Sequence, residues 1–145
     1  HKRSQIRLRG VVANGGAQPR ERARLARAIL DHIGVMDVPV GVGSPGKAYE
    51  ARPHEYALPG IEDVEDSRLQ RGSDLFRSLI GHAARRQRTL TVVCISSLRD
   101  VADIILQDSV AFDRAVLEIV VQGGLVEDPT ARGGYAPDSS VNNSF

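Results

Sequence analysis

The chain has 145 residues, 41% of them hydrophobic and 26% charged, and this length suits one domain that buries about two-thirds of its unfolded surface. Its 19 basic and 18 acidic residues leave a net charge of +1, so the overall charge favours neither nucleic acid nor an anionic membrane. No apolar run approaches the roughly 18 residues of a membrane span, and the single cysteine excludes a disulfide framework within one chain. We expect one domain, 1–145. A cytoplasmic location is favoured but not required, because a lone thiol is merely compatible with a reducing compartment.

Both ends of the chain look interrupted. His1 resembles the remainder of a purification tag, and residues 5–12 look like a strand that normally has a segment before it. The last residues, 142–145, stop within a motif. We therefore expect the domain to be incomplete at both ends.

A strand and a helix are predicted first. Apolar residues alternate with arginines over 5–12, which indicates a strand with one partly exposed face. Two glycines after Asn14 permit a sharp turn into a helix over 19–33, which Pro19 begins and Gly34 ends. The arginines of this helix predict a solvated face, since a phosphate site would need them to converge with backbone amides at the helix start. They are Arg20, Arg22, Arg24 and Arg27.

A second short strand is predicted at 38–42, followed by a glycine-rich turn at 43–46. The turn lacks the Lys-Ser/Thr of a P-loop, so a phosphate-binding role for it is disfavoured. Residues 47–66 show no periodicity, which is typical of a functional or mobile loop. His54 and Glu55 in this loop are candidates for acid–base chemistry, although a lone loop histidine is more often only solvated.

The next helix is predicted to begin at Ser73 and Asp74, which suit a helix N-terminus. Three arginines at its end suit the negative pole of the helix dipole. Its apolar stripe consists of Leu75, Phe76, Leu79, Ile80 and Ala83.

A strand, helix, strand unit follows, and the rest of the chain can be placed around it. The apolar, β-branched run at 90–95 predicts a strand covered on both faces. Ser96 and Ser97 are N-cap candidates for a helix, and a second helix at 110–116 returns the chain to an apolar strand at 117–121. Two parallel strands require a crossover connection, which is expected to be right-handed.

Four strands separated by helices predict an α/β fold, with a mostly parallel sheet and helices on both faces in three layers. Ligands of such sheets bind outside the carboxyl ends of the strands. We therefore look for chemistry at Ser96 and Ser97 and in the segment after Gly124.

Six segments, taken in order, resemble a known family. They are GVVANGG, RARLARAIL, VPVGVG, LTVVCISSLRDVA, EIVVQGG and YAPDSSVNNSF. In order and spacing these segments are similar to the inosine-uridine preferring nucleoside hydrolases, in particular to a divergent fungal-type branch. The resemblance covers nearly the whole chain and implies the three-layer α/β/α fold of that family.

The resemblance also implies a chemistry, the hydrolysis of the N-glycosidic bond of ribonucleosides with a calcium ion. Water is a poor nucleophile, so such a site needs a cation and a carboxylate to activate it, and groups that stabilise the sugar and the leaving base. Calcium takes six to eight oxygen ligands, mostly from carboxylates.

Four residues correspond to the family's ribose-contacting segments. Asn14 falls at an asparagine near the ribose, Asn142 falls at another with Asn143 beside it, and Asp138 lies in the same loop. An asparagine can donate to one hydroxyl and accept from another, which suits a sugar diol. The alternative is that Asn14 only supports the glycine turn and that the two later asparagines are ordinary loop residues.

The departures from the family pattern are large. Its aspartate-rich amino-terminal motif, its later histidine acid and its last metal aspartate have no counterpart in this chain. Arg99 stands where the family has a metal-contacting threonine, and its positive charge would oppose a cation there. Ser140 stands where the family has an acid that binds a ribose hydroxyl. We therefore assign no catalytic residue, and we do not expect this chain alone to assemble a calcium site.

Three functions remain open. The first is a nucleoside hydrolase-like domain that binds a ribonucleoside but is inactive alone, as a fragment or a pseudoenzyme. The second is a non-catalytic interaction or assembly module that forms a homo-oligomer, and the third is a glycosidase for NAD or another N-glycoside. None of them calls for nucleic acid or a membrane as a partner.

Overall fold

A computed structural model of the chain describes residues 6–46 and 59–137. Short parallel strands alternate with helices along most of this part of the chain. The elements are β1 (Val11–Ala13), α1 (Pro19–His32), β2 (Val40–Val42), β3 (Leu69–Arg71), α2 (Gly72–Arg85), β4 (Leu90–Cys94), α3 (Arg99–Gln107), α4 (Ser109–Ala115), β5 (Val116–Val121), β6 (Leu125–Glu127) and β7 (Tyr135–Pro137). A 3-10 turn, Asp66–Arg68, precedes β3. None of the described helices is long and apolar enough to cross a membrane.

The first sheet is parallel, in the order β1-β2-β3, and helices cover both of its faces. Val40 is fully buried and packs with Ala23 and Leu30 of α1, whereas Val12 packs with the cluster around Phe76 of α2. Because successive side chains of a strand point to opposite faces, α1 and α2 lie on opposite sides of the sheet. This arrangement confirms the predicted α/β class with helices on both faces.

The helix boundaries follow local chemistry. Pro19 begins α1, and Gly34 follows its end with a positive φ of 74° and an N–H that donates to Asp31 O. Both features were predicted. The start of α2 depends instead on a close approach, because a Cβ on Gly72 would lie 2.8 Å from Gly43 Cα. Ser73 and Asp74 lie in the first turn of α2 but do not cap it, since the N-cap is Arg71.

The second sheet pairs β4 with β5 in parallel, and in the described residues helices cover only one of its faces. Leu90 and Val92 pack with residues of α2 and α4, whereas Val93 is 63% exposed and its neighbour Val120 is 44% exposed. The prediction that these strands are covered on both faces is therefore wrong for this part of the chain. An apolar run shows that a strand can be buried, but not how many layers cover it.

Several short elements differ from expectation. The first strand is three residues long, 11–13, rather than 5–12. The strands β3, β6 and β7 were not predicted, because three-residue strands without an apolar run have no periodicity to detect. The N-cap of α3 is Leu98 and not Ser96 or Ser97, the predicted candidates. Asp108 caps α4 by accepting from Ala111 N at 2.9 Å.

Candidate functional site

Polar side chains gather where β1, β2 and β4 end. Asn14 follows β1 directly, Ser44 lies two residues beyond β2, and Ser96 lies two residues beyond β4. The fourth member is Asp100, in the first turn of α3. Carboxyl ends of parallel strands are where α/β sheets place ligands, so this group, here called the rim cluster, is the candidate site.

Asn14 is the centre of the rim cluster. Its Nδ2 group donates to Ser97 O at 2.8 Å and to Asp100 Oδ2 at 2.6 Å. Its backbone oxygen accepts from Ser96 Oγ at 3.2 Å and from an Arg22 guanidinium nitrogen at 3.1 Å. Since both amide hydrogens are committed, a sugar hydroxyl would meet Oδ1 unless it displaced one of these bonds.

Asp100 connects the two sheets. In addition to Asn14, its carboxylate accepts from Ser44 N at 3.0 and 3.2 Å and from Ser44 Oγ at 2.9 Å. This role of Asp100 was not predicted from the sequence. The sequence did contain a signal for this role, since Asn14 and Ser44 follow strands that end at the edge of the sheet where α3 begins.

The glycine turn after β1 has the predicted geometry. Gly15 and Gly16 have φ values of 78° and 59°, a region that side chains disfavour. A Cβ on Gly15 would lie 2.6 Å from Ser96 Oγ. The positive φ of Gly15 therefore favours glycine at this position, and a side chain there would also displace the Ser96 hydroxyl.

The rim cluster does not fit a calcium ion. Calcium needs six to eight oxygens, whereas the cluster offers one carboxylate that already accepts from three donor groups. Among the described residues no group of three or more His, Cys, Asp or Glu could hold a metal. Arg99 begins α3 beside Asp100 and lies 3.9 Å from Asp103, with which it pairs.

A cleft of about 310 Å³ lies farther along the same edge, where β2 and β3 end; we call it the β3 cleft. It is lined by Arg20, Val42, Asp66, Leu69, Gln70 and Arg71. Arg20 pairs with Asp66 Oδ2, and Arg24 donates to Asp66 Oδ1 at 3.1 and 2.9 Å. The hydrogen bonds from Arg24, with the charge of Arg20, hold the pKa of Asp66 below its usual value.

The predicted solvated face of α1 holds for Arg20 and Arg24, whose side chains are 56% and 36% exposed, but not for Arg27. Arg27 is only 3% exposed, and Arg20 and Arg24 are held by Asp66, which lies more than 40 residues away in sequence. Local periodicity cannot detect a partner at that distance. The β3 cleft was missed for the same reason.

Some candidate residues lie outside the described residues. They are Asp138, Asn142 and Asn143, the departure at Ser140, and the loop residues His54 and Glu55. Of the predicted ribose-contacting residues, the structure therefore places Asn14 alone, and it places it in the rim cluster.

Two solved structures have a similar fold. The crystal structure of type III effector protein XopQ complexed with adenosine diphosphate ribose matches with a TM-score of 0.70 and 23% identity. That of the effector protein XOO4466 matches with a TM-score of 0.68 and 23% identity. Each match covers 95% of this chain and 40% of the other, so the chain spans about two fifths of their length. No protein-family model and no curated protein matches the chain.

Proposed function

We propose that the chain is a nucleoside hydrolase-like domain that binds a riboside at the rim cluster and does not hydrolyse it alone. The observation that carries this proposal is the convergence of Asn14, Ser44 and Ser96 at the carboxyl ends of three strands. Asn14 is also the position at which the family resemblance expects a ribose contact. The adenosine diphosphate ribose bound to XopQ is itself a riboside, which supports this ligand class.

Hydrolysis is not expected from the described residues, for a physical reason. Cleavage of an N-glycosidic bond by water needs a base or a metal-bound hydroxide near the sugar. The one carboxylate of the rim cluster, Asp100, is engaged by hydrogen bonds from Asn14 and Ser44, and no metal-binding group accompanies it in the described residues. The domain is therefore proposed as a binding module of a hydrolase-like fold, with calcium as a ligand of the family rather than of this chain.

Calorimetry on the 145-residue chain with inosine, uridine, adenosine and ADP-ribose tests the proposal, with chromatography for released base with and without calcium. We expect binding without base release. Asn14→Ala should weaken binding at least tenfold. Ser97→Ala should not, because Asn14 donates to the backbone oxygen of Ser97, which this substitution retains. Unfolding measured for both variants separates lost contacts from lost fold. Absence of binding by every riboside would overturn the proposal.

A second candidate function is an assembly module made of two or more copies of the chain. It is favoured by the uncovered face of the β4–β5 pair, where Val93, Ile95 and Val120 are exposed. Parallel sheets usually have both faces covered, and a second copy would supply the missing layer. Light scattering should then show a dimer that Val93→Lys converts to a monomer, and a monomeric native chain would exclude this function.

The third candidate, cleavage of NAD or another N-glycoside, is favoured by the ADP-ribose bound to XopQ. ADP-ribose is the part of NAD that remains when its N-glycosidic bond to nicotinamide is broken. Incubation with NAD and chromatography for nicotinamide tests it directly. Nicotinamide release above the rate without protein would favour this candidate over simple binding.

A further inference from the structure

The β3 cleft has the composition of an anion site. Apolar side chains of Val42 and Leu69 contribute to its lining, and the guanidinium groups of Arg20 and Arg71 are its cations. Its volume is at the lower end of the range of small-molecule sites. It lies beside β3, at the outer edge of the first sheet.

Positive charge exceeds negative charge around the β3 cleft. Asp66 is shared between Arg20 and Arg24, and Asp74 is shared between Arg71 and Arg77. Of these residues only Arg20, Arg71 and Asp66 line the cleft, so its lining carries two guanidinium groups and one carboxylate. The neighbouring acid Glu65 accepts from Ser67 at 3.0 Å and does not line the cleft.

Arg71 has the weakest ion pair of these four arginines. Its side chain is 82% exposed, and its contact with Asp74 is 3.7 Å long, whereas Arg77 donates to the same carboxylate at 3.2 Å. The Arg71 guanidinium group can therefore donate to two oxygens of a phosphate without first breaking a short hydrogen bond.

Two helix starts reinforce the charge. The helices α1 and α2, each of 14 residues, begin where strands of the first sheet end, and neither has a side-chain cap. Their amino ends carry partial positive charge, which favours an anion nearby. This field acts together with the arginines and is not the basis of the site by itself.

The β3 cleft and the rim cluster are neighbours along one edge. Val42, which lines the cleft, is two residues from Ser44, which donates to Asp100. Arg20 and Arg22 lie in the same first turns of α1, and Arg22 contacts Asn14 O at 3.1 Å. A ligand with its sugar at the rim cluster can therefore extend a charged group towards the cleft.

We infer that the β3 cleft is the subsite for the phosphate groups of a phosphorylated riboside, so that the chain prefers nucleotides to neutral nucleosides. The inference rests on the proposed function, because it assumes that the sugar lies at the rim cluster. Arg71 and Arg20 bind the phosphate oxygens, and Asp66 keeps Arg20 in place in the absence of ligand.

Calorimetry with ADP-ribose, adenosine and pyrophosphate tests the inference on the 145-residue chain. ADP-ribose should bind at least tenfold more tightly than adenosine, and added salt should reduce the difference. Arg71→Gln should remove most of that preference and leave adenosine binding unchanged. Arg85→Gln, at the opposite end of α2, removes the same formal charge and should have no effect.

The outcomes separate the inference from the proposed function. Equal affinity for ADP-ribose and adenosine, unchanged in Arg71→Gln, would overturn the inference and leave riboside binding intact. Binding of pyrophosphate alone, weakened by Arg71→Gln, would show an anion cleft and overturn the riboside function together with the subsite role. No binding by any of the three probes would overturn both.

Discussion

Arg27 shows how one residue can hold several segments together. Its guanidinium group donates to Val35 O and Val38 O, both at 2.6 Å, and to Asp31 Oδ1 at 3.0 Å. The two carbonyl groups lie in the connection from α1 to β2, so this buried arginine fixes the helix against the central strand. Asp31 also accepts from Arg68, which precedes β3. A single carboxylate thus links α1 to the entrance of β3.

Replacing Arg27 by alanine should therefore destabilise the domain strongly. The change leaves two carbonyl groups and part of a carboxylate without a donor in a buried site, and we expect a loss of about 3–5 kcal/mol. Arg27→Lys should lower the stability of the domain by a smaller amount, because a lysine ammonium group cannot reach all three acceptors as the planar guanidinium group does. Urea unfolding followed by circular dichroism measures both. Arg24→Ala, on the exposed face of α1, is the control and should have a much smaller effect.

Asp31 should also make stability depend on pH in the acid range. Hydrogen bonds from Arg68, together with the charge of Arg27, lower the pKa of Asp31 below its ordinary value of 3.8. A carboxylate with a lowered folded-state pKa stabilises the fold above its unfolded pKa, and this stability is lost as the pH falls through the folded pKa. We expect the free energy of unfolding to decrease as the pH is lowered below about 4.

In Asp31→Asn this acid-range decrease should be shallower than in the native chain, although Asp66 and Asp128, whose pKa values are also lowered, will retain part of it. Asp113→Asn is the control, since Asp113 forms no ion pair within the described residues. An unchanged slope in Asp31→Asn would contradict the role assigned to the Arg68 contact.

At the scale of elements, the contact between α3 and the ends of β1 and β2 joins the two parallel sheets. Asp100→Ala removes the acceptor for Asn14 and for Ser44, which lie in two different loops. We expect a loss of about 2 kcal/mol, because hydrogen bonds to a charged group are lost and partly buried donors remain. Asp103→Ala, about one turn later on α3, is exposed and serves as the matched control. Equal losses in the two variants would contradict a specific role of Asp100.

The helices were predictable and the smallest strands were not. Apolar spacing placed α1, α2 and α4 within one or two residues, because each buries one stripe that recurs every three or four positions. The strand β3, Leu69–Arg71, has one apolar residue, and it forms because β2 offers a free edge rather than because of its own pattern. The same holds for the site. The glycine turn and the serines after strands were visible in the sequence, whereas the pairing of Asp66 with Arg20 depends on how the chain folds back.

At the scale of the whole molecule, burial is uneven. The first sheet lies between α1 and α2, the β4–β5 pair has helices on one face, and the antiparallel β6–β7 pair consists largely of exposed residues. Strands covered on both faces open only when the whole domain unfolds, whereas exposed pairs open locally at much lower cost. The three sheets should therefore differ in their resistance to opening.

Native-state hydrogen exchange should show this gradient directly. The amides of β2, the central strand with fully buried Val40, should exchange most slowly and approach the rate of global unfolding. Those of β6 should exchange fastest among the strands, since Leu125 and Val126 are exposed and pair only with β7 in the described residues. The experiment is run at two protein concentrations, because a second copy seated on the exposed face of β4–β5 would slow exchange there only at the higher one. Equal protection of β6 and β2 at both concentrations would contradict this order, because it would require β6 to be buried within a single chain.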